Sequence, residues 1–379
     1  AGLAMALLAT IACSAKGSSK GKGTTDKGAS ERLTIFFTGE LKGTIEPCGC
    51  TTNPLGDLAR TAKLIDGARS GGATLYVDAG SMLYTHNPIP PDLEAQEELK
   101  AKLLLEVFGN QLAPAAIGLG PYDLSRGPEA VKPARLAANI PSTAGVALEP
   151  SKVVEVGGVK VGFFGVVSAE AVKPFGIEAS PVTPAAQSAI EELEAKGAQL
   201  VIGIAHMTKG EARNLAREAP GADILVVGQN LPEPGKVSRG PDRVGDTWLI
   251  APANRGQVVS RLDITMRGDG TLADAIGEAR AKVELASIDE QVAAIDSSLA
   301  KWKSDPNADQ AFVSQKEKER TALMADKKQL EASPLRVPQS GPYFVMEQVS
   351  IARRLPCMGE VVAAKKTYDK EAGPVSYTH

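Results

Sequence analysis

Cys48 and Cys50 stand one glycine apart in Glu46-Pro47-Cys48-Gly49-Cys50. Two cysteines at this spacing can close a small, strained disulfide. Strain makes such a bridge easier to reduce than an ordinary one, so it suits redox exchange. The same pair could serve as half of a metal site or as a loop brace, and those readings stay open. Lys42 is near in sequence, and a cation beside a thiol lowers its pKa. Cys357, in Leu355-Pro356-Cys357-Met358, is either a third, resolving thiol or a small buried apolar side chain. Imidazoles are scarcer still. His86, His206 and His379 are the three histidines, so any His-rich metal site must be assembled from them.

Cys13 has a different setting. It ends the apolar run of residues 1–12, and a Gly/Ser/Lys-rich stretch follows at once. The run is too short for a bilayer span, which needs ~20 apolar residues. It reads as the core of a secretion signal, and Thr10-Ile11-Ala12-Cys13 reads as a lipoprotein box with Cys13 acylated. The usual first Leu and a basic start with Met are missing, which points to a chain truncated at its start. Residues 14–31 would form a flexible tether reaching roughly 20–25 Å. The expected location is the cell envelope, lipid-anchored, on the periplasmic or extracellular face.

These residues must be positioned by a globular body. The chain has 379 residues, 43% hydrophobic and 23% charged, which excludes a wholly disordered chain and a polytopic membrane protein. The net charge is −3 and aromatics make up 4%. With no basic excess to neutralise phosphates and few stacking platforms, nucleic acid is not an expected partner. Apolar, Gly- or Asp-bounded runs at 33–39, 74–80, 115–120, 159–167, 200–206 and 224–230 predict buried strands. Helical segments at 57–69, 92–107, 184–196 and 209–218 alternate with them. Late strands at 247–253 and 259–268 are expected at an edge or in a second sheet, and 343–351 returns to the main sheet. Residues 353–370 predict at most a short tail helix. The fold class is therefore α/β, a layered β-sandwich flanked by helices.

Leu285, Ile288, Val292, Ile295, Leu299 and Trp302 repeat every three or four residues, the spacing of a helical seam. Turn chemistry at 305–309 and a second charged helical run predict an inserted antiparallel helical hairpin, a rigid arm or a docking coiled coil. The predicted organisation is a signal segment (1–13), a tether (14–31), a main domain (32–270), the hairpin (271–333), and a returning strand with tail (334–379).

The order of short motifs in the main domain carries a resemblance. Leu33 to Gly43 (LTIFFTGELKG) is similar to the opening strand of the calcineurin-like metallophosphoesterases, in the periplasmic 5′-nucleotidase / UDP-sugar hydrolase branch, where it ends T-N-D-x-H-G. Leu55 to Arg60 resembles that branch's G-G-L-A-R, Val77 to Ser81 its D-A-G-D turn, and Gly118 to Asp123 its G-N-H-E-F-D. Ala138-Asn139-Ile140, the hairpin Val156 to Gly165, Ile204-Ala205-His206, and Gly228 to Leu231 follow in the family's order. The resemblance covers about residues 32–268. It implies two metal ions ~3.5–4 Å apart that activate water and clamp a phosphate.

The residues at the corresponding positions depart from that pattern. Glu40 stands for the first Asp, Lys42 for its His partner and Ser81 for the bridging Asp. Leu119 and Gly120 replace the Asn-His pair, and Gln229 and Leu231 the late histidines. Only His206 keeps the expected residue type. Glu40 is expected to pair with Lys42 in a structural network, the alternative being a ligand to one weakly held ion, and His206 to be a satisfied core histidine. Asp123 belongs to the same degenerate site, and His86 is expected to be a loop histidine. No metal and no other cofactor is predicted. Residues 343–373 also resemble the segment preceding a multihaem cytochrome module, but no C-x-x-C-H occurs, so no haem is predicted.

The sequence thus predicts a membrane-tethered lipoprotein with a degenerate, non-hydrolytic 5′-nucleotidase-like domain, redox-active through Cys48 and Cys50, with a redox partner or cytochrome module. The alternatives are an active phosphoesterase with unusual ligands, and a structural docking protein that works through the hairpin.

Overall fold

A computed structural model describes residues 31–47, 54–229, 240–303, 309–334 and 337–373. The chain runs β1 (Glu31–Thr38), α1 (Leu58–Gly71), β2 (Thr74–Asp78), α2 (Glu94–Val107), β3 (Ala116–Ile117), β4 (Arg135–Leu136), β5 (Leu148–Glu149), β6 (Ser151–Val156) and β7 (Val159–Val167). It continues through α3 (Ala169–Val172), α4 (Val182–Ala195), β8 (Leu200–His206), α5 (Lys209–Glu218), β9 (Ile224–Val227), β10 (Asp242–Val244), β11 (Thr247–Ile250) and β12 (Val258–Met266). It ends with β13 (Ala273–Ala275), α6 (Glu278–Lys303), α7 (Gln310–Ala332), β14 (Tyr343–Ser350) and α8 (Gly359–Ala372).

Two sheets carry the fold. The first has strand order β13-β14-β12-β1-β2-β3 and the second β10-β11-β9-β8-β7-β6. Side chains alternate between the faces of a strand. Ile35 and Phe37 of β1, Val77 of β2, Val161 and Phe163 of β7, and Ile202 and Ile204 of β8 therefore meet between the sheets in one core. The opposite faces bear Phe36 and Tyr76, covered by α1, α2 and α8, and Phe164, Val201 and Leu225, covered by α4 and α5. The result is a sandwich with helices on both outer faces. Each Leu, Ile or Phe buried in this way contributes about 1.5–3 kcal/mol.

Helix starts follow side-chain chemistry. Asp57 Oδ1 accepts from the backbone N–H groups of Ala59 (2.8 Å) and Arg60 (3.1 Å) and so caps α1. Thr208 and Glu211 form a reciprocal capping box at α5.

Three sequence expectations are corrected. The run 115–120 keeps only two strand residues, Ala116 and Ile117, after which Gly118 makes a single parallel bridge to Leu136. β12 lies inside the first sheet, antiparallel to β1 on one side and to β14 on the other, not at an edge. The tail forms a 14-residue helix, α8, which packs Val361 and Tyr368 into the core shared by α1 and α2. Its apolar spacing was hidden because the residue between them on the inner face is Lys365, which is buried as part of an ion pair.

α6 and α7 form an antiparallel hairpin with a small core of its own, Ile295, Leu299 and Val313, with Trp302 and Leu323 against it. Leu285, Ile288 and Val292 are half-buried along the same seam. Lys327 pairs with Asp289 and Arg320 with Asp296 across the two helices.

Candidate functional site

The parallel strands of the two sheets end at a common edge, the position at which open α/β sheets place their sites. β1 ends at Thr38, β2 at Asp78, β8 at His206 and β9 at Val227. Beyond β1 and β2 the two chains stay paired: Glu40 N–H donates to Gly80 O (3.0 Å) and Lys42 N–H to Ser81 O (2.9 Å). To do so, Glu40, Lys42 and Ser81 adopt positive φ angles of 51°, 48° and 57°. Non-glycine residues seldom occupy this region, and holding each there costs about 1–3 kcal/mol.

This backbone presents a compact ion cluster. His206 Nε2 lies 2.7 Å from Glu40 Oε1, and Lys42 Nζ lies 2.9 Å from Glu40 Oε2. Ser81 Oγ is 3.3 Å from the same imidazole nitrogen. Lys42 also rests over the Tyr122 ring, 4.4 Å from its centroid, an arrangement favourable to a cation. Glu40, Ser81 and His206 are buried, and Lys42 is half-buried. Burial alone would raise the Glu40 carboxyl. The His206 hydrogen bond and charge, with Lys42, overcome that and hold it below its ordinary value. His206 is not the fully satisfied core histidine expected, since its Nδ1 is buried with no hydrogen-bond partner.

Asp123 is fully buried and holds the loops behind the cluster. Its carboxylate accepts from the backbone N–H groups of Ser81 (2.8 Å), Met82 (2.9 Å), Leu83 (3.3 Å) and Gly120 (3.2 Å). Arg135, also fully buried, places Nη2 3.7 Å from it. Asp78, at the end of β2, accepts from Thr38 Oγ1 (2.6 Å) and Gly80 N–H (2.9 Å). Burial, despite these donors, pushes its carboxyl up to about 7. Asp78, Tyr122 and Arg135 were not singled out from sequence. Asp78 left one signal, its place as the first Asp of the segment that resembles the D-A-G-D turn.

The other candidates lie elsewhere. His86 sits in the loop after β2, Nδ1 3.3 Å from Glu97 Oε1. Gln229 follows Gly228 and is half-buried. Cys357 is exposed, which excludes the buried apolar reading. Cys13, Cys48, Cys50 and Leu231 lie outside the described residues. Lys42, expected to activate a nearby thiolate, has its ammonium paired with Glu40.

The metal pair implied by the resemblance does not fit this donor set. Among the described residues no group of three or more His, Cys, Asp or Glu side chains could hold a metal ion. The space is also closed to further ligands. A Cβ on Gly120 would stand 2.2 Å from Ser81 Oγ, and one on Gly228 would stand 2.8 Å from Ala79 O and 3.1 Å from His206 Cδ2.

No protein-family model matches the sequence, and no curated protein does. Solved structures do match. A 5′-nucleotidase precursor from Thermus thermophilus aligns over 90% of this chain and 59% of its own, at 18% identity and TM-score 0.60. The NAD nucleotidase of Haemophilus influenzae aligns over 64% of this chain and 55% of its own, at 16% identity and TM-score 0.53. The calcineurin-like phosphoesterase YfkN of Bacillus subtilis aligns over 64% of this chain and 87% of its own, at 17% identity and TM-score 0.50. The fold is that of the 5′-nucleotidase-like metallophosphoesterases. Glu40, Ser81 and His206 therefore stand on a phosphoesterase framework, at the strand-end edge where the resemblance places its metal ligands. The chain spans less than two thirds of the length of the two nucleotidases.

Proposed function

We propose that this protein is a non-hydrolytic, 5′-nucleotidase-like domain held at the cell envelope by a lipid on Cys13. The observation that carries the reading is the Glu40–His206–Lys42 cluster. It puts a fixed ammonium and a closed, glycine-lined wall where two-metal hydrolysis needs ligands and an open coordination site. The purified protein is expected to hold no stoichiometric Mn²⁺ or Zn²⁺ and to release no phosphate from 5′-nucleotides or aryl phosphates. Two bound metal ions, with turnover that His206→Ala abolishes, would overturn it and restore the active phosphoesterase.

The anchoring part rests on the residues around Cys13. No helix among the described residues is long and apolar enough to cross a membrane. Stable attachment takes more than one acyl chain, which a bacterial lipoprotein supplies. Precursor expressed in a bacterium should partition into membranes and Cys13→Ser should release it; equal partitioning of the two would count against the anchor.

A redox role for Cys48 and Cys50, with a redox partner or cytochrome module, is the second reading. It is favoured by how the flanks of that stretch are fastened. Lys365 of α8 pairs with Glu46 (2.6 Å) on one side and Asp57 (3.0 Å) on the other. Met358 N–H donates to Ala59 O (2.9 Å), which fastens the chain just after the exposed Cys357 to α1. Thiol titration in graded redox buffers should show the pair cycling at an accessible potential, with little stability lost in Cys48→Ser. A pair that stays oxidised under strong reduction, or never forms, ends this reading.

A further inference from the structure

Helices cover only part of the outer face of the first sheet. Towards the end where β1 begins, away from the strand-end edge, that face opens into a cavity of about 520 Å³, within the size range of small-molecule pockets. Leu33, Leu262, Ile264, Phe344 and Met346 point into the core between the sheets, so the residues alternating with them face the cavity. Two rows line it. Arg32, Thr265 and Tyr343 are partners in register across β1, β12 and β14, and Thr34, Asp263 and Val345 form the next row.

The rows carry opposite charge. In the first, the exposed Arg32 guanidinium has no hydrogen-bond or ion-pair partner among the described residues, and neither do the hydroxyls of Thr265 and Tyr343. In the second, Asp263 Oδ1 accepts from Thr34 Oγ1 (2.7 Å) and from Nε (3.1 Å) and Nη2 (3.0 Å) of Arg261, which leaves Oδ2 free of donors. The C-terminal end of α1 borders this row: Thr74, the β2 partner of Thr34, donates to Gly72 O (3.1 Å). Gly71 and Gly72 line the cavity, and a Cβ on either would meet nothing within 4 Å. A helix C-terminus adds partial negative charge. The first row thus offers donors to an oxyanion, and the second offers acceptors to an ammonium. Two residues along β12 separate them, roughly 7 Å, the span of a phosphate joined to an amine by two carbons. A phosphate turns three oxygens towards one guanidinium and two hydroxyls, whereas a carboxylate has two.

We infer that this cavity binds a phosphoethanolamine group, free or as the head of a lipid, with its phosphate on Arg32 and its ammonium on Asp263. β1 starts beside the cavity, so a body tethered through Cys13 carries it at the tethered end. The site depends neither on that anchor nor on the absence of hydrolysis.

The test is calorimetric titration of the full chain with O-phosphoethanolamine. One saturable site is expected. Ethanolamine, inorganic phosphate and phosphocholine should each bind about tenfold or more weaker, because each lacks one charged hydrogen bond; phosphocholine keeps the phosphate but has no N–H for Asp263. Arg32→Ala should weaken phosphoethanolamine by about tenfold or more. Asp263→Asn should erase the preference over phosphocholine. Arg243→Ala, at an exposed position on the other sheet, should change nothing. Arg32 makes no internal bond, so its variant keeps the fold and carries the test if Asp263→Asn does not fold. Co-sedimentation of Cys13→Ser protein with phosphatidylcholine vesicles, with and without phosphatidylethanolamine, identifies the source. Pelleting that needs both phosphatidylethanolamine and Arg32 assigns a lipid head, and binding of the free compound alone assigns a soluble one. No saturable binding in either format, equal affinity for inorganic phosphate or phosphocholine, or binding that Arg32→Ala leaves intact overturns the proposal.

Discussion

Two clusters in this molecule are made of the same three residue types. Glu40, Lys42 and His206 form one; Glu97, Lys100 and His86 form the other. In the second, α2 is stapled to the neighbouring loop: Glu97 accepts from Thr85 N–H (2.7 Å) and pairs with Lys100 (2.8 Å). Burial would raise Glu97, but Lys100 and Thr85 hold it below its ordinary value. Its histidine is 41% exposed, at 3.3 Å. In the first cluster the histidine is 3% exposed, at 2.7 Å, and comes from the other sheet. None of the second cluster's residues has a positive φ, whereas Glu40 and Lys42 both do. Residue type therefore does not separate the two clusters. Backbone strain and the distance in sequence between the partners do.

The largest effect expected concerns Asp78, beneath the first cluster and without a counterpart in the second. Its carboxyl is pushed up to about 7 in the folded protein, whereas the unfolded group loses its proton near the ordinary 3.8. Between those limits the folded state binds more protons, so stability should fall as pH rises through the window and level off above it. The fall should amount to roughly 4 kcal/mol. Asp223, pushed by burial up to about 6, adds a smaller fall of the same sign. Urea denaturation at pH 4 to 8 should show Asp78→Asn removing most of the slope; an unchanged slope would place the titration elsewhere.

The comparison itself is tested by matched histidine removals. His206→Ala opens a buried cavity and strips a partner from Glu40, and should cost about 2–4 kcal/mol. His86→Ala removes a half-exposed, solvent-screened contact and should cost less than about 0.5 kcal/mol. Denaturation midpoints of the two variants decide this. Equal losses would mean that the two clusters are the same kind of staple.

Much of the frame was legible because its strands are fully buried. β7 and α5 match the expected bounds 159–167 and 209–218 residue for residue, since local pattern and burial agree there. α8 was not legible, because its inner face carries a lysine whose partners, Glu46 and Asp57, lie some three hundred residues away in the chain. The order of motifs pointed to Glu40, Ser81 and His206. It could not show that Tyr122 would lie under Lys42, or that Arg135 would be sealed beside Asp123, because those contacts arise only when separate loops fold together.

β13 and β14 are parallel neighbours, so a tight turn cannot join them. A single crossover helix would bridge them, but its length would then be fixed by the sheet. The chain uses α6 and α7, which go out and come back, and so the sheet senses only where the pair begins and ends. Seven residues added to each helix would lengthen the arm by about 10 Å and leave every strand in register. The length of the arm is thus set independently of the sheet that carries it.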